Sequence, residues 1–323
     1  MHMPDGYMNL ATAVGGAAVA AGGIWASLRE TGKRFAEKQI PMGGLTAAFV
    51  FAVQMLNFPV AAGTSGHLLG GALAAILLGP WMGALVVTVV VVVQALLFAD
   101  GGVVVLGLNV LNMAIVTALV GWLAFRFLMR VLPKTTGAAI AATMISGFLG
   151  VLAASFAFVI EYSIGGQGGA SLSTVFAAMT GVHALIGIGE GLISAVAVGA
   201  VLAVRPDLVT ATADLELRRT ATAPGGRAVT SFVAAGLAVA LALVFFVAPI
   251  ASGDPDGLER VAIDQGFSGE ALDHPIGTPL ADYGVSGIES DRLGTMLAGA
   301  IGVVVVFGMG LGLVSVLRRR RTA

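Results

Sequence analysis

The amino-acid sequence predicts an all-α membrane protein, a bundle of helices that crosses the lipid bilayer several times. Of its 323 residues, 57% are hydrophobic and only 11% are charged, whereas a soluble domain carries about 25% charged residues. Apolar stretches long enough for membrane helices recur along the chain, separated by short polar breaks. The 46 glycines suit helices that pack closely within a membrane.

Nine apolar segments are predicted to span the membrane, because about 20 apolar residues cross its hydrocarbon core. Segment 67–80 is short for a crossing and could be re-entrant, and segment 174–204 is long enough to be tilted or broken. The predicted spans are 9–27, 42–60, 67–80, 82–99, 104–131, 137–162, 174–204, 229–250 and 293–317.

The placement of basic residues favours nine crossings with the N-terminus outside the cell. In that arrangement the inner loops hold fifteen of the seventeen Lys and Arg residues, and only Arg260 and Arg292 fall outside. If segment 67–80 did not cross, the first two inner loops would lie on opposite sides. No Lys or Arg precedes the first apolar run, so a cleaved signal peptide is not expected. The C-terminus is predicted to be cytoplasmic.

Three parts follow from this organisation. Residues 1–204 are predicted to form a seven-span bundle, residues 205–228 a polar cytoplasmic linker, and residues 229–323 two spans that flank an acidic extracytoplasmic segment. The pair Gly32-Lys33 lacks the Ser or Thr and the upstream glycine of a nucleotide-binding P-loop. Any ATP hydrolysis would therefore have to take place in another subunit.

The N-terminal dipeptide Met1-His2 is a candidate metal chelator. The chain has no cysteine, so a metal would be held by nitrogen, oxygen or methionine sulfur. The terminal amine, the amide nitrogen of His2 and its imidazole can close two fused rings around one ion. Three nitrogens in one plane suit Ni(II) or Cu(II), and also Co(II). Because the amide must lose its proton, affinity should fall as pH falls.

Three nitrogens leave one position of a planar site open, so a fourth ligand is expected on the same side of the membrane as Met1. His67, in the sequence GTSGHLLGG at 63–71, opens the third predicted span on the outer side, where Met1 also lies. Its glycine neighbours would let backbones approach closely. The alternative is a histidine that only forms a hydrogen bond between helices.

Five further polar residues are candidates for supporting the ligands or lining the path of the metal. His183 and Glu190 are seven residues apart, on one helix face, and ionisable groups within a span are functional candidates. His183 could be an alternative ligand, and Glu190 a buried acceptor or a gating residue. Asn109 and Asn112 are three apart and are expected to share a face. For these two and Asn57, hydrogen bonding between helices is favoured over lining the site.

The predicted outer segment is acidic. Its carboxylates could concentrate cations through their field, or they could simply be solvated. They are Asp254, Asp256, Glu259, Asp264, Glu270, Asp273, Asp282, Glu289 and Asp291.

Four motifs together resemble those of one transporter family. The start MHMPDGYM resembles the MHIPDGFL start of the CbiM/NikM family, and the segments 63–71 and 183–193 (HALIGIGEGLI) resemble its second and third signatures. The sequence DPDGLE at 254–259 is similar to the PDGLE domain, a NikN/CbiN-like accessory domain often fused to this family. The chain thus resembles a fused substrate-binding component of an energy-coupling-factor cobalt and nickel transporter.

The resemblance implies a transport subunit of the plasma membrane that is not itself an enzyme. It would take Ni(II) or Co(II) as transported ligand on Met1, His2 and His67 and pass the ion inward. Its implied partners are a transmembrane coupling subunit, two cytoplasmic ATPase subunits and membrane lipid, with no nucleic acid. A planar set of four nitrogens favours Ni(II).

Two other classes of function stay open at this point. An intramembrane metalloenzyme could use His67, His183 and Glu190, although the chain lacks an HExxH motif and a square-planar set leaves no convenient position for an activated water. A passive channel or scaffold would need no chelate at all.

Overall fold

The computed structural model describes residues 1–34, 39–61, 63–213 and 226–322, and these are almost entirely helical. The antiparallel strands β1 (Phe58–Ala61) and β2 (Thr64–Gly66) form one small hairpin. The helices are α1 (Leu10–Arg34), α2 (Gln39–Gln54), α3 (Gly71–Leu78), α4 (Pro80–Leu97), α5 (Leu106–Asn109), α6 (Thr117–Val131), α7 (Thr136–Gly165), α8 (Leu172–Val204), α9 (Gly226–Ala242), α10 (Gly257–Gln265) and α11 (Asp291–Thr322). The prediction of an all-α membrane bundle is confirmed.

Within the described residues, seven helices are long and apolar enough to cross a membrane. They are Leu10–Lys33, Pro80–Leu97, Leu106–Val131, Thr136–Gly165, Leu172–Val204, Val229–Ile250 and Asp291–Leu317. The protein is therefore a multi-pass membrane protein. The other two predicted spans are shorter helices, since α2 has 16 residues and α3 only eight. Segment 42–60 is helical only as far as Gln54, after which the chain enters the hairpin.

Segment 67–80 combines extended and helical backbone. Residues 67–70 have no regular structure, and all eight residues of α3 are buried. An extended residue advances about 3.3 Å and a helical residue about 1.5 Å, so residues 67–78 can cover about 25 Å. His67 lies beside the N-terminus, whereas Gly79 faces the methyl group of Thr210 beyond the end of α8. The segment thus runs between the two ends of the bundle, with its irregular backbone enclosed by protein.

Glycines bring neighbouring helices into close contact. On α7 and α8, Gly147 faces the Cα of Gly191. On α2, Gly44 faces Leu311 and the backbone of α11, and Gly310 of α11 faces Gly44 in return. Such small residues let helix backbones approach each other in a membrane. The two C-terminal helices α9 and α11 therefore pack against α2, on one side of the bundle.

The segment between α9 and α11 lies over the end of the bundle that holds the N-terminus. The backbone N–H of Ser65 donates to the carbonyl of Pro255 (2.9 Å), and the N–H of Leu272 donates to the carbonyl of Asp5 (2.8 Å). The short helix α10 belongs to this segment. The acidic segment and the chain start consequently share one face of the molecule.

Only part of the predicted linker 205–228 is described. Its first residues form short 3-10 turns, Pro206–Leu208 and Thr210–Thr212, and Val209 is buried against the bundle. Residues 214–225 lie outside the described residues, as does Lys38, which the charge argument counted as cytoplasmic. The orientation of the chain in the membrane stays a prediction.

Candidate metal site

The N-terminal segment lies across one end of the bundle with alternate side chains turned inward. Met1, Met3, Asp5 and Tyr7 are buried. Asn109 holds the backbone of Met3 through both halves of its amide: its oxygen accepts from the Met3 N–H (2.9 Å) and its Nδ2 donates to the Met3 carbonyl (3.0 Å). This pair of hydrogen bonds fixes the chain two residues from the terminal amine.

The loop before α5 also forms hydrogen bonds with the N-terminal segment. The Gly102 N–H donates to the carbonyl of Met3 (2.8 Å). The Asp5 carboxylate accepts from the N–H groups of Val103, Val104 and Val105, at 3.1, 2.9 and 3.1 Å. Hydrogen bonds to its backbone therefore hold the N-terminal segment that carries the Met1-His2 dipeptide.

The terminal amine lies beside His67. The Met1 nitrogen is 2.8 Å from Nε2 of His67 and also contacts a carboxylate oxygen of Asp256. Nδ1 of His67 lies 3.0 Å from the Leu68 carbonyl, a contact that assigns the ring proton to Nδ1 and leaves Nε2 free to bind. Two nitrogens that occupy adjacent positions in a square-planar site, each about 2.0 Å from the metal ion, lie about 2.8 Å apart. The two groups have the spacing of neighbouring ligands.

The imidazole of His2 stacks on that of His67, with ring centroids 5.0 Å apart. Its Nδ1 lies 3.1 Å from a carboxylate oxygen of Asp100 and its Nε2 lies 3.1 Å from the amide oxygen of Gln94. Burial lowers the pKa of His2 to about 4, although Asp100 opposes the shift. Burial thus favours the neutral ring, the form in which histidine binds a metal. To close the chelate, the ring must exchange its contact with Asp100 for the metal.

Glu190 positions the loop that carries His67. Its carboxylate accepts from the backbone N–H groups of Leu69 (2.5 Å) and Gly70 (3.0 Å). Gln54 donates to the carbonyl of Leu69 (2.7 Å) on the opposite side. The carboxylate of α8 thus acts on His67 through the backbone.

His183 lies beneath the site rather than in it. Its Nδ1 is 2.9 Å from the carbonyl of Met179. Its buried Nε2 has no hydrogen-bond partner among the described residues and borders a void of about 10 Å³ that Met1 and His67 also line. His183 is separated from the two predicted ligands by this small void.

The three predicted asparagines are not brought together. Asn109 supports the N-terminal segment, whereas Asn112 donates to Glu161 on α7 (2.8 Å). A π-helical turn, Val110–Val116, follows Asn109 and changes the helical repeat. The two asparagines bind partners in different parts of the chain. Asn57 follows α2 and lines the cavity outside the site.

A cavity of about 660 Å³ adjoins the site at the same end of the bundle. His2, His67 and Asn57 line it together with several carboxylates, which give it a negative field. The acidic lining residues are Asp100, Asp254, Asp256, Glu259 and Asp282.

Sequence reasoning missed the side chains that surround the histidines. The hydroxyl of Tyr283 donates to Asp100 (2.6 Å) and accepts from Gln94 (3.0 Å), so it holds both partners of His2. Asp256 contacts Met1 and lies 3.5 Å from Nε2 of His67. The sequence showed Asp256 as part of the acidic segment and of the DPDGLE motif, and neither feature indicates contact with a residue 255 positions away.

No group of three or more His, Asp or Glu side chains stands in metal-binding arrangement within the part of the chain that the structure describes.

Comparisons with known proteins agree with this architecture. Residues 2–208 match the family described as CbiM, cobalt uptake substrate-specific transmembrane region, and residues 230–319 match the PDGLE domain. A putative fused nickel transport protein NikMN of Archaeoglobus fulgidus is 36% identical over the full length of both chains. A cobalt transport protein CbiM of Sorangium cellulosum is 35% identical over 52% of this chain and 76% of its own.

A solved structure of a transition metal transporter is also similar to this chain. It is 28% identical to this chain and superposes with a TM-score of 0.58. The match covers all of that structure and 68% of this chain. The spans, the family match and the relatives all indicate a transport protein rather than an enzyme. The chain belongs to the CbiM family of cobalt uptake substrate-specific transmembrane regions, is a membrane component of cobalt and nickel transport, and carries a PDGLE domain behind the family region.

Proposed function

We propose that this chain is the substrate-specific subunit of an ATP-driven importer of the energy-coupling-factor type. It captures Ni(II) or Co(II) on the extracytoplasmic side and passes the ion inward. Met1 contributes its amine, His2 its amide nitrogen and imidazole, and His67 its imidazole. One observation carries the proposal: the buried terminal amine lies 2.8 Å from Nε2 of His67.

The surroundings of this pair support capture from the outer cavity. An ion that enters the cavity meets a negative field and then the two stacked histidines. Binding releases protons, because the amine and the His2 amide must both be deprotonated before they can bind a metal. Asn109 and Glu190 hold the two ligand-bearing segments in place.

Energy coupling is assigned to other subunits. The sequence contains no P-loop, so we infer a transmembrane coupling subunit and two cytoplasmic ATPases as partners. We infer that the N-terminus lies outside the cell and the C-terminus in the cytoplasm. Four nitrogens in a plane suit Ni(II), and the same set would hold Cu(II) tightly, because affinity rises along the series to copper.

Metal content tests the binding site directly. The purified protein is exposed to equal amounts of Ni, Co, Cu and Zn and compared with the variants His2→Ala and His67→Ala. The first variant removes the imidazole that closes the chelate, and the second removes the separate fourth nitrogen. We expect one equivalent of Ni or Co in the parent and clear loss in both variants. No retained metal in the parent would contradict the site.

Coupling is tested separately. The chain is reconstituted in vesicles with a coupling subunit and ATPases of a related transporter, and uptake of radioactive nickel is followed with and without ATP. Uptake that needs both ATP and the intact Met1-His2 start supports the proposal. Equal uptake without ATP or ATPases would instead indicate a passive channel.

A further inference from the structure

Asp256 joins the C-terminal segment to the two N-terminal ligands. One of its carboxylate oxygens contacts the Met1 amine and lies 3.5 Å from Nε2 of His67. Its side chain is 18% exposed. Contact with an ammonium group favours the charged form of a carboxyl group. Asp256 therefore places a negative charge next to the predicted metal ligands.

The second carboxylate oxygen of Asp256 has a structural task. It accepts from the N–H groups of Leu258 (2.8 Å) and Glu259 (2.9 Å) and so caps the first turn of α10. The cap fixes the rotation of the side chain. The first oxygen is consequently aimed at Met1 and His67 by the helix rather than by their attraction alone.

The bundle holds the start of α10 in place from two sides. The hydroxyl of Ser65 donates to the carbonyl of Asp254 (2.8 Å), and the Ser65 N–H donates to the carbonyl of Pro255. Gly257 lies against Ile186 and His183 of α8, where a Cβ would come within 2.5 Å of the Ile186 side chain. Asp256 is therefore fixed over the site by the bundle itself.

We propose that Asp256 is a positioning residue of the metal site, through which the PDGLE segment forms the outer wall of that site and sets how tightly the ion is held. The inference rests on the proposed function and adds a residue from the other end of the chain. An amine that has bound a metal keeps N–H groups, and one of them would donate to Asp256. A divalent ion on one deprotonated amide carries a single net positive charge, as the ammonium does, so the carboxylate balances both states.

The test is the substitution Asp256→Asn in the full-length protein. Asn caps helices as well as Asp does, so the start of α10 is retained while the charge is lost. The matched control is Asp254→Asn, which removes the same charge from the same cavity without contact to Met1 or His67 in the structure described. The probe is Ni(II) alone, titrated in competition with a chelator of known affinity.

We expect Asp256→Asn to weaken Ni(II) binding about 10- to 100-fold, as losses of groups that hold metal ligands generally do. Asp254→Asn should weaken binding far less, because it removes a charge from the cavity but no contact with Met1 or His67. The visible absorption spectrum of bound Ni(II) should be unchanged in both variants, because the four nitrogen ligands stay. Equal affinity in the two variants, or tighter binding in Asp256→Asn, would overturn the proposal.

A second measurement needs no metal. The terminal amine of metal-free protein is labelled with a small amine-reactive reagent, and the rate at Met1 is read by mass spectrometry. Loss of the carboxylate contact should speed labelling in Asp256→Asn and leave it unchanged in Asp254→Asn. Equal rates would refute the contact. If the parent binds no Ni(II) but labelling is faster in Asp256→Asn, the proposed function fails while the role of Asp256 as partner of the amine survives.

Discussion

Asn109 and Asn112 show how much two identical residues three positions apart can differ. Both are buried, yet Asn109 forms two hydrogen bonds to the backbone of Met3 and Asn112 donates to Glu161. The π-helical turn that follows Asn109 separates the two roles. At the scale of single residues, the Asn109 amide is one of the groups that hold the Met1-His2 segment, together with Asp5 and Gly102.

Asn109→Ala should weaken metal retention about 10-fold or more, because the segment that carries Met1 and His2 loses its support. The measurement is the dissociation rate of bound Ni(II) into excess chelator. Asn112→Ala is the matched control, and its rate should equal that of the parent. Equal dissociation rates in the two variants would contradict the role of Asn109.

At the scale of secondary-structure elements, packing of α8 against the loop before α3 positions His67, the second predicted ligand residue. His67 lies in an irregular stretch between β2 and α3, and this stretch is held by the Glu190 carboxylate of α8. The Glu190 carboxylate thus accepts from two backbone N–H groups, which would otherwise be buried without partners. The prediction that Glu190 is a buried acceptor or a gating residue still needs an experiment.

Glu190→Gln should lower stability, since a glutamine can offer its single oxygen to only one well-aligned N–H while its NH₂ group faces the other. A buried donor without a partner costs about 1–3 kcal/mol. Thermal unfolding in detergent would measure the loss. Glu161→Gln is the control, because Glu161 accepts from a side chain at only one oxygen. A larger loss in the control would argue against this account.

The packing of α10 on α8 can be tested at the same scale. Gly257→Val should push α10 away, because a Cβ there lies 2.5 Å from Ile186 and 3.0 Å from Val182. Gly253→Val is the control, since nothing lies within 4 Å of a Cβ at that position. Limited proteolysis between α9 and α11 should be faster only in Gly257→Val. Equal cleavage would mean that this contact does not hold the segment.

The whole molecule is arranged so that both ends of the chain meet over one face of the bundle. The N-terminal segment, the cavity and the acidic segment share that face, and the helix ends near Thr210 define the opposite one. Prediction of the orientation rests on basic residues alone, and several of these lie outside the described residues.

Single cysteines can establish the orientation, because the natural chain contains none. A cysteine at Lys134 should react with a membrane-impermeant thiol reagent only after the cells are opened, whereas one at Ser268 should react in intact cells. The reverse pattern would invert the proposed topology and place the cavity inside the cell.

Some properties were predictable from the sequence because they depend on local composition. The scarcity of charged residues indicated a lipid environment, the apolar runs predicted most of the spans, and Met1-His2 carries the nitrogen atoms of the predicted chelate whatever the fold. The motif around His67 also predicted a ligand through resemblance. All of these are properties of neighbouring residues, whose hydropathy and bonding capacity act over a few positions.

Other properties arise only from contacts between distant residues. Pairing of Asp256 with Met1, the link from Tyr283 to Asp100, and the burial of α3 depend on how helices far apart in sequence meet. Hydropathy predicted a nine-helix pattern, but a segment enclosed by protein can replace helical turns with extended backbone and still run the depth of the bundle. The sequence by itself determined a membrane protein and predicted a metal chelate at Met1 and His2. Only the tertiary structure decided which side chains surround that chelate, because it alone brings the two ends of the chain together.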